Sequence, residues 1–161
     1  MHAPSKGFTL VELMVTLVVA VILMTVAVPS MMSTYEASRA NNEISRIQDA
    51  LRFARNHAVS YGASVMVCPA DGNACGTDWS KGLRVYMMNA GAQETLRLVE
   101  GIKSDDKISS TSGTLTFTSD GLVAAGATFV YCPRGITNES RSVTLSATGV
   151  VKSGAKGLAC T

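Results

Sequence analysis

Residues 8–29, FTLVELMVTLVVAVILMTVAVP, hold a single ionisable side chain, Glu12. A helix made from this run is apolar on every side, and such a helix belongs inside a bilayer or a helix bundle. At a rise of about 1.5 Å per residue it would be roughly 33 Å long, close to the ~30 Å of a hydrocarbon core. Glu12 lies one turn beyond Phe8, where a lone carboxylate costs on the order of 2.5 kcal/mol or more unless it finds a partner. A short basic leader, residues 1–7, precedes the run and ends in Lys6-Gly7.

An ordinary secretory signal also sets a cation ahead of an apolar stretch. Glu12 would interrupt its apolar region, however, and Ala27-Val28-Pro29 is a poor small-residue cleavage site. A plain single-pass anchor accounts for the length and leaves Glu12 without a role. The junction Lys6-Gly7-Phe8-Thr9-Leu10-Val11-Glu12-Leu13 resembles the type III signal of type IV pilins and of the pseudopilins of type II secretion. That resemblance implies a prepilin peptidase cutting between Gly7 and Phe8 and N-methylation of Phe8. It also implies that Glu12 is the assembly glutamate, and that Pro29 is the proline at which family helices bend or locally melt. The expected organisation is a cleaved leader (1–7), a transmembrane and assembly helix (8–29) and a periplasmic head (30–161).

The head is expected to begin with an amphipathic helix over 30–60. Ala40, Ile44, Ile47, Leu51, Ala54 and Ala58 recur at spacings of three and four, one apolar stripe along it. Glu36 and Arg39, Glu43 and Arg46, and Asp49 and Arg52 each set an acid three residues ahead of an arginine. Such pairs contribute a few tenths of a kcal/mol and mark a solvated face. Tyr61-Gly62 ends the helix.

Over 63–161 the period changes to two. Val65 and Val67, then Leu83, Val85 and Met87, then Leu96 and Leu98 alternate with small or polar residues, and Leu115 with Phe117, Phe129 with Tyr131, and Val143 with Leu145 and Ala147 continue the pattern. Six or seven short strands with hairpin-length links predict a meandering antiparallel sheet, an α+β fold with the long helix packed on it. Trp79 reads as a plug at a sheet edge. Residues 102–113, with Asp105-Asp106-Lys107 and several serines, read as a mobile, solvated loop, with too few oxygen ligands near the acid pair for calcium.

Four cysteines in a chain with an export signal point to an oxidising compartment, and they allow three pairings. Cys68 and Cys75 enclose an Asp71-Gly72-Asn73 turn suited to a small closed loop, which leaves Cys132 with Cys160. A C-x6-C spacing with almost no histidine gives no metal site. His57 has no nucleophile motif around it, and no phosphate-binding or metalloprotease signature occurs, so neither an enzyme nor a cofactor is expected.

The later half carries a looser resemblance. The Phe53-Ala54-Arg55 helix segment, a Trp79-x-x-Gly82 turn, a Phe117-x-x-x-Gly121 segment and the closing Thr148-Gly149-Val150-Val151-Lys152 are similar to the H-type pseudopilins and the FimT/FimU group of minor pilins. The implied function is a minor pilin of a bacterial type IV pilus. It would be held by a single pass in the inner membrane with its head in the periplasm, then inserted among other pilins and minor pilins to prime a filament. Two further readings follow from the same resemblance, an H-type pseudopilin of type II secretion and a DNA-binding minor pilin for natural transformation. Arg134, Arg141, Lys152 and Lys156 against Glu139 make the end of the chain basic, as a phosphate binder requires. The Gly-Arg-x-Arg motif by which some FimT-like proteins capture DNA is replaced here by Gly149-Val150-Val151-Lys152.

Overall fold

The computed structural model describes residues 7–160, the side chains of 26–30 excepted. The leader residues ahead of Gly7, Lys6 among them, and the side chain of Pro29 therefore lie outside the described residues. Helix α1 (Leu10–Tyr61) is followed by nine strands: β1 (Val65–Asp71), β2 (Ala74–Cys75), β3 (Gly82–Asn89), β4 (Ala92–Glu100), β5 (Lys107–Ser110), β6 (Leu115–Phe117), β7 (Ala127–Cys132), β8 (Arg141–Leu145) and β9 (Val151–Ser153). The chain divides into two compact units, 1–35 and 36–161.

In the first unit α1 begins with Thr9 at its N-cap, whose Oγ1 accepts a hydrogen bond from the Glu12 N–H at 3.2 Å. Threonine three residues ahead of glutamate is the sequence of a capping box, and this bond satisfies one of the orphan amides of the first turn. Leu10, Val11, Leu13 and Met14 are all more than half exposed, and no side of the helix is spared.

The second unit is a sheet domain closed by the rest of α1. All six residues of the predicted stripe are buried, joined by Ala50. Alanines at four of these seven positions let the sheets approach the helix backbone closely. α1 stops where Gly62 takes a positive φ of 61°. The Ala63 N–H then reaches back to the Ala58 carbonyl at 3.2 Å, the longer bond of a Schellman-type end.

Every strand pairing is antiparallel, as expected, and the strands form two sheets. The first has the order β2-β1-β3-β4, with β6 also on β1, and the second the order β5-β7-β8-β9. The inward positions Val65, Val67, Val85, Phe117, Phe129 and Val143 meet the α1 stripe in one core. Trp79 belongs to that core too: it is buried, meets Phe129 edge-on at 4.8 Å and donates Nε1–H to the Ser112 carbonyl at 3.2 Å.

Two expectations are overturned. The stretch around Asp105-Asp106-Lys107 is not a solvated loop, because Asp106 is buried and strand β5 starts at Lys107. The first of the three helix ion pairs does not mark a solvated face either, since Glu36 is buried while Asp49 and Arg52 stay exposed. One cause serves both: Asp106 and Glu36 carry opposite ends of a single charge network.

Disulfides join Cys68 to Cys75 and Cys132 to Cys160. The first closes the β1–β2 turn. The second fastens the tail beyond β9 to the end of β7.

Candidate functional site

Two places concentrate unusual chemistry. In the first unit, Phe8 is 84% exposed, and Glu12 is exposed in the first part of α1, residues 10–25, where the other side chains are almost all apolar. The Glu12 amide is engaged by Thr9, while its carboxylate makes no ion pair among the described residues. An open apolar cylinder with one carboxylate in its first turn suits an apolar surrounding, a bilayer or a bundle of similar helices, in which the carboxylate needs a cation. Among the described residues no helix is long and apolar enough to cross a membrane.

The second place lies at the start of the head. Arg39 reaches both Asp106 and Glu36, the latter at 3.1 Å. Arg134 Nε pairs with Glu36 Oε1 at 2.9 Å, and the Arg134 backbone N–H donates to Asp106 Oδ1 at 2.9 Å. Tyr131, fully buried, donates its hydroxyl hydrogen to Asp106 Oδ2 at 2.5 Å. Arg134 accepts a left-handed backbone, φ 49°, to make these bonds. Such a conformation in a non-glycine residue costs on the order of 1–2 kcal/mol and persists only where surroundings over-determine it. Two acids and two arginines balance, as buried charge must.

The electrostatics follow. Burial pushes the Tyr131 phenol well above its ordinary value, and the Asp106 carboxylate adds to the rise against the opposing pull of Arg39. Burial works against the charge on Arg39, but Tyr131, Asp106 and Glu36 more than offset it, and the guanidinium sits above its usual range. This network is a structural clamp joining α1, β5 and β7. Sequence reasoning singled out Glu36, Arg39 and Asp106 without joining them. The available signal was Tyr131 on the inward register of a strand, since a buried phenol needs a polar partner.

The four basic residues considered for phosphate binding have different fates. Arg134 is held by Glu36. Arg141 donates Nε–H to Asn41 Oδ1 at 2.9 Å and Nη1–H to the carbonyls of Glu139 and Ser140 at 3.2 and 2.9 Å. Lys152, on β9 opposite Thr144, and Lys156, in the tail, are exposed. Gly149 is the pivot of the β8–β9 hairpin, with φ 73° and its N–H bonded to the Ser146 carbonyl. Arg55 crosses from α1 to hold this hairpin at the Thr148 carbonyl and the neighbouring turn at the Gly121 carbonyl. No group of three or more potential metal ligands gathers among the described residues.

Comparison with known proteins agrees with this geometry. The family described as type II transport protein GspH matches residues 43–149, and the prokaryotic N-terminal methylation motif matches residues 3–28. Among solved structures, the type IV minor pilin FimU of Pseudomonas aeruginosa is similar with a TM-score of 0.63 at 23% identity, over 76% of this chain and 92% of that one. The minor pseudopilin EpsH from the type 2 secretion system of Vibrio cholerae is similar with a TM-score of 0.58 at 16% identity, over 72% and 96%. No curated protein matches the chain.

Proposed function

Because the chain belongs to the GspH family of type II transport proteins, we propose that it serves as a minor pilin of a bacterial type IV pilus. It carries the methylation motif of a prepilin-type, membrane-anchored subunit. In this reading a prepilin peptidase removes residues 1–7, Phe8 becomes the N-methylated terminus, and the protein waits in the inner membrane with its head in the periplasm. It then joins other pilins by transferring its apolar helix from lipid into a filament core.

The observation that supports this most is the apolar run of α1 with Glu12 in its first turn. Transfer between lipid and a bundle of like helices changes the apolar environment little, so the step can be made and reversed. The one group whose surroundings change sharply is Glu12. In lipid the one cation within its reach is the Phe8 ammonium of its own chain, one turn away. In a bundle it can meet the ammonium of a neighbouring Phe8, which relieves both charges and fixes the axial register between helices.

The test is to shear filaments from the native host and ask whether the protein is in them. Its presence in type IV pili supports the reading. Its presence only in a secretion pseudopilus transfers the account to the second reading, an H-type pseudopilin, which the family match and the fold of EpsH favour. Nucleic-acid capture is the weaker alternative, because Arg134 and Arg141 are already held by groups of this chain.

A further inference from the structure

Strand β4 ends the first sheet with its outer edge open. It is the longest of the nine strands, and no strand pairs with it except β3. The other sheet edges are short strands, β2 and β6 on one side of the first sheet and β5 and β9 on the second. None of the nine residues of β4 is buried, and six are exposed. Among the described residues, no backbone hydrogen bond joins 92–100 to any segment but β3. One backbone group at its end is taken, the Glu100 carbonyl, which accepts from Arg46 at 3.1 Å.

That bond shows which way the edge points. In an antiparallel ladder, opposed residues alternate between exchanging both backbone bonds and exchanging none. Glu100, opposite Gly82, turns its carbonyl away from β3 and so belongs to the second kind, and Leu98, opposite Arg84, follows it. The Leu98 N–H and C=O therefore point outward, and Leu98 is 53% exposed. A long edge of this kind is a template for one more strand.

The irregularity within β4 makes the edge selective. Leu96 is an extra residue between Thr95 and Arg97, which lie opposite Tyr86 and Val85. Such a bulge bends a strand and disfavours pairing with a like edge, which sets a second copy of β4 aside. It also brings Glu94 and Arg97, three residues apart, to one face. They lie opposite Met87 and Val85, both on the side that packs on the core. Neither joins an ion pair among the described residues. Glu94 accepts from Asn89 Nδ2 at 2.9 Å, and the Arg97 guanidinium lies 5.6 Å from the centre of the Phe53 ring. Glu94 is exposed and Arg97 half-buried, so both charges are reachable from the edge.

We propose that the free edge of β4 takes an extended segment from the head of a different subunit of the same filament by strand addition. That segment sets a basic residue beside Glu94 and an acidic one beside Arg97. The assignment rests on the filament reading given above. The edge selects an extended polypeptide, because neither a nucleic acid nor a lipid has a row of amides to match it. Side chains opposed across two strands lie about 4.5–5.5 Å apart, close enough for these two charges to choose among segments.

The experiment places a benzophenone amino acid at Ala92 or at Glu100 of the full chain, in its native host, and maps the cross-links in sheared filaments. Paired strands advance together, so both positions should reach one segment of one partner, at points about seven or eight residues apart. Leu98→Pro removes an outward N–H, which an edge strand tolerates, and Glu94→Lys reverses an exposed charge. Each should lower the yield per incorporated subunit by about tenfold or more, in chains that melt as the parent does. Should Leu98→Pro unfold, Glu94→Lys decides alone. Exchanging charges, Glu94→Lys with the mapped basic residue changed to Glu, should restore the yield. Cross-links to two unrelated segments, to a second copy of β4, to lipid or to nucleic acid overturn the proposal. So does the lack of a cross-link in filaments that contain the protein, or an unchanged yield in a folded variant. Absence of the parent chain from every filament would instead refute the filament reading, and this proposal with it.

Discussion

Tyr131 on β7 meets Asp106, the residue just ahead of β5, and the phenol hydroxyl donates to the carboxylate at 2.5 Å inside the head. The strand residue is fully buried and its acid partner nearly so. Together with Arg39, Glu36 and Arg134 they join the helix to the second sheet.

Asp106→Ala should lower the stability of the head by about 3–5 kcal/mol, because it leaves Arg39 and the Arg134 amide facing an empty acceptor site. Urea denaturation of the variant and the parent measures this. A loss below 1 kcal/mol would mean that the network is solvated after all.

Tyr131→Phe tests the same network through pH. Burial raises the folded-state value of the phenol, with Asp106 adding to it. The neutral form is thus favoured by folding, and its contribution is fully present below the unfolded value of about 10 and shrinks as pH rises beyond it. The stability advantage of the parent over Tyr131→Phe should therefore narrow above about pH 10. A constant difference from pH 8 to 11 would contradict the assignment.

Gly149→Ala should be among the most damaging small substitutions in the chain. An added Cβ would lie 2.0 Å from the Gly121 carbonyl oxygen and 2.7 Å from Arg55 Nε, at a φ of 73°. Gly157→Ala is the control: φ is 75° but the space is open, so it should cost only the ~1–2 kcal/mol of the left-handed backbone. Equal effects at the two positions would show that the close approach between the β8–β9 hairpin and the 118–121 turn is relaxed in solution.

Cys160→Ser should detach the tail after β9 and destabilise the head by about 3.5 kcal/mol on a chain-entropy estimate, against roughly 2.5 kcal/mol for Cys75→Ser, which closes a much shorter loop. Thermal unfolding of the two variants ranks them. The reverse order would show that strain or residual unfolded structure outweighs loop length here.

The alternation of Val65 with Val67, Leu83 with Val85, and Phe129 with Tyr131 made the strands legible, and the Ala40-to-Ala58 stripe made the helix face legible, because each residue reports its own burial through a fixed period. Strand β5 was hidden for a physical reason. Lys107-Ile108-Ser109-Ser110 is polar at three of four positions, and its strand state comes from pairing with β7, which no local signal records. β2 has no buried side chain and β9 has one, Val151, so neither shows the paired alternation that marks the similarly short β6. Alternation also leaves the division into two sheets open, since it says which residues face inward and not which strands are neighbours. Asp106 shows the same limit in the candidate site. Beside Asp105 it reads as half of a solvated pair, and only Tyr131 and Arg39, distant in sequence, make it a buried centre.

Processing is the first step that the account requires. Mass spectrometry of the native protein should find a chain beginning at Phe8 with one additional methyl group on its amine, and a bulky residue in place of Gly7 should block the cut. A mature filament subunit that retains residues 1–7 would contradict the assignment of the leader.

The role of Glu12 in assembly is the centre of the account, and the incorporation of Glu12→Val into sheared pili tests it most directly. The valine removes the carboxylate from an exposed helix face and leaves the Thr9 cap, which uses only the Glu12 backbone amide. The account predicts a chain that is cut after Gly7 and stable in the membrane but enters filaments poorly, with Glu12→Gln behaving alike. Incorporation of Glu12→Val at the level of the parent would contradict it, and would leave the carboxylate as a group that the membrane merely tolerates.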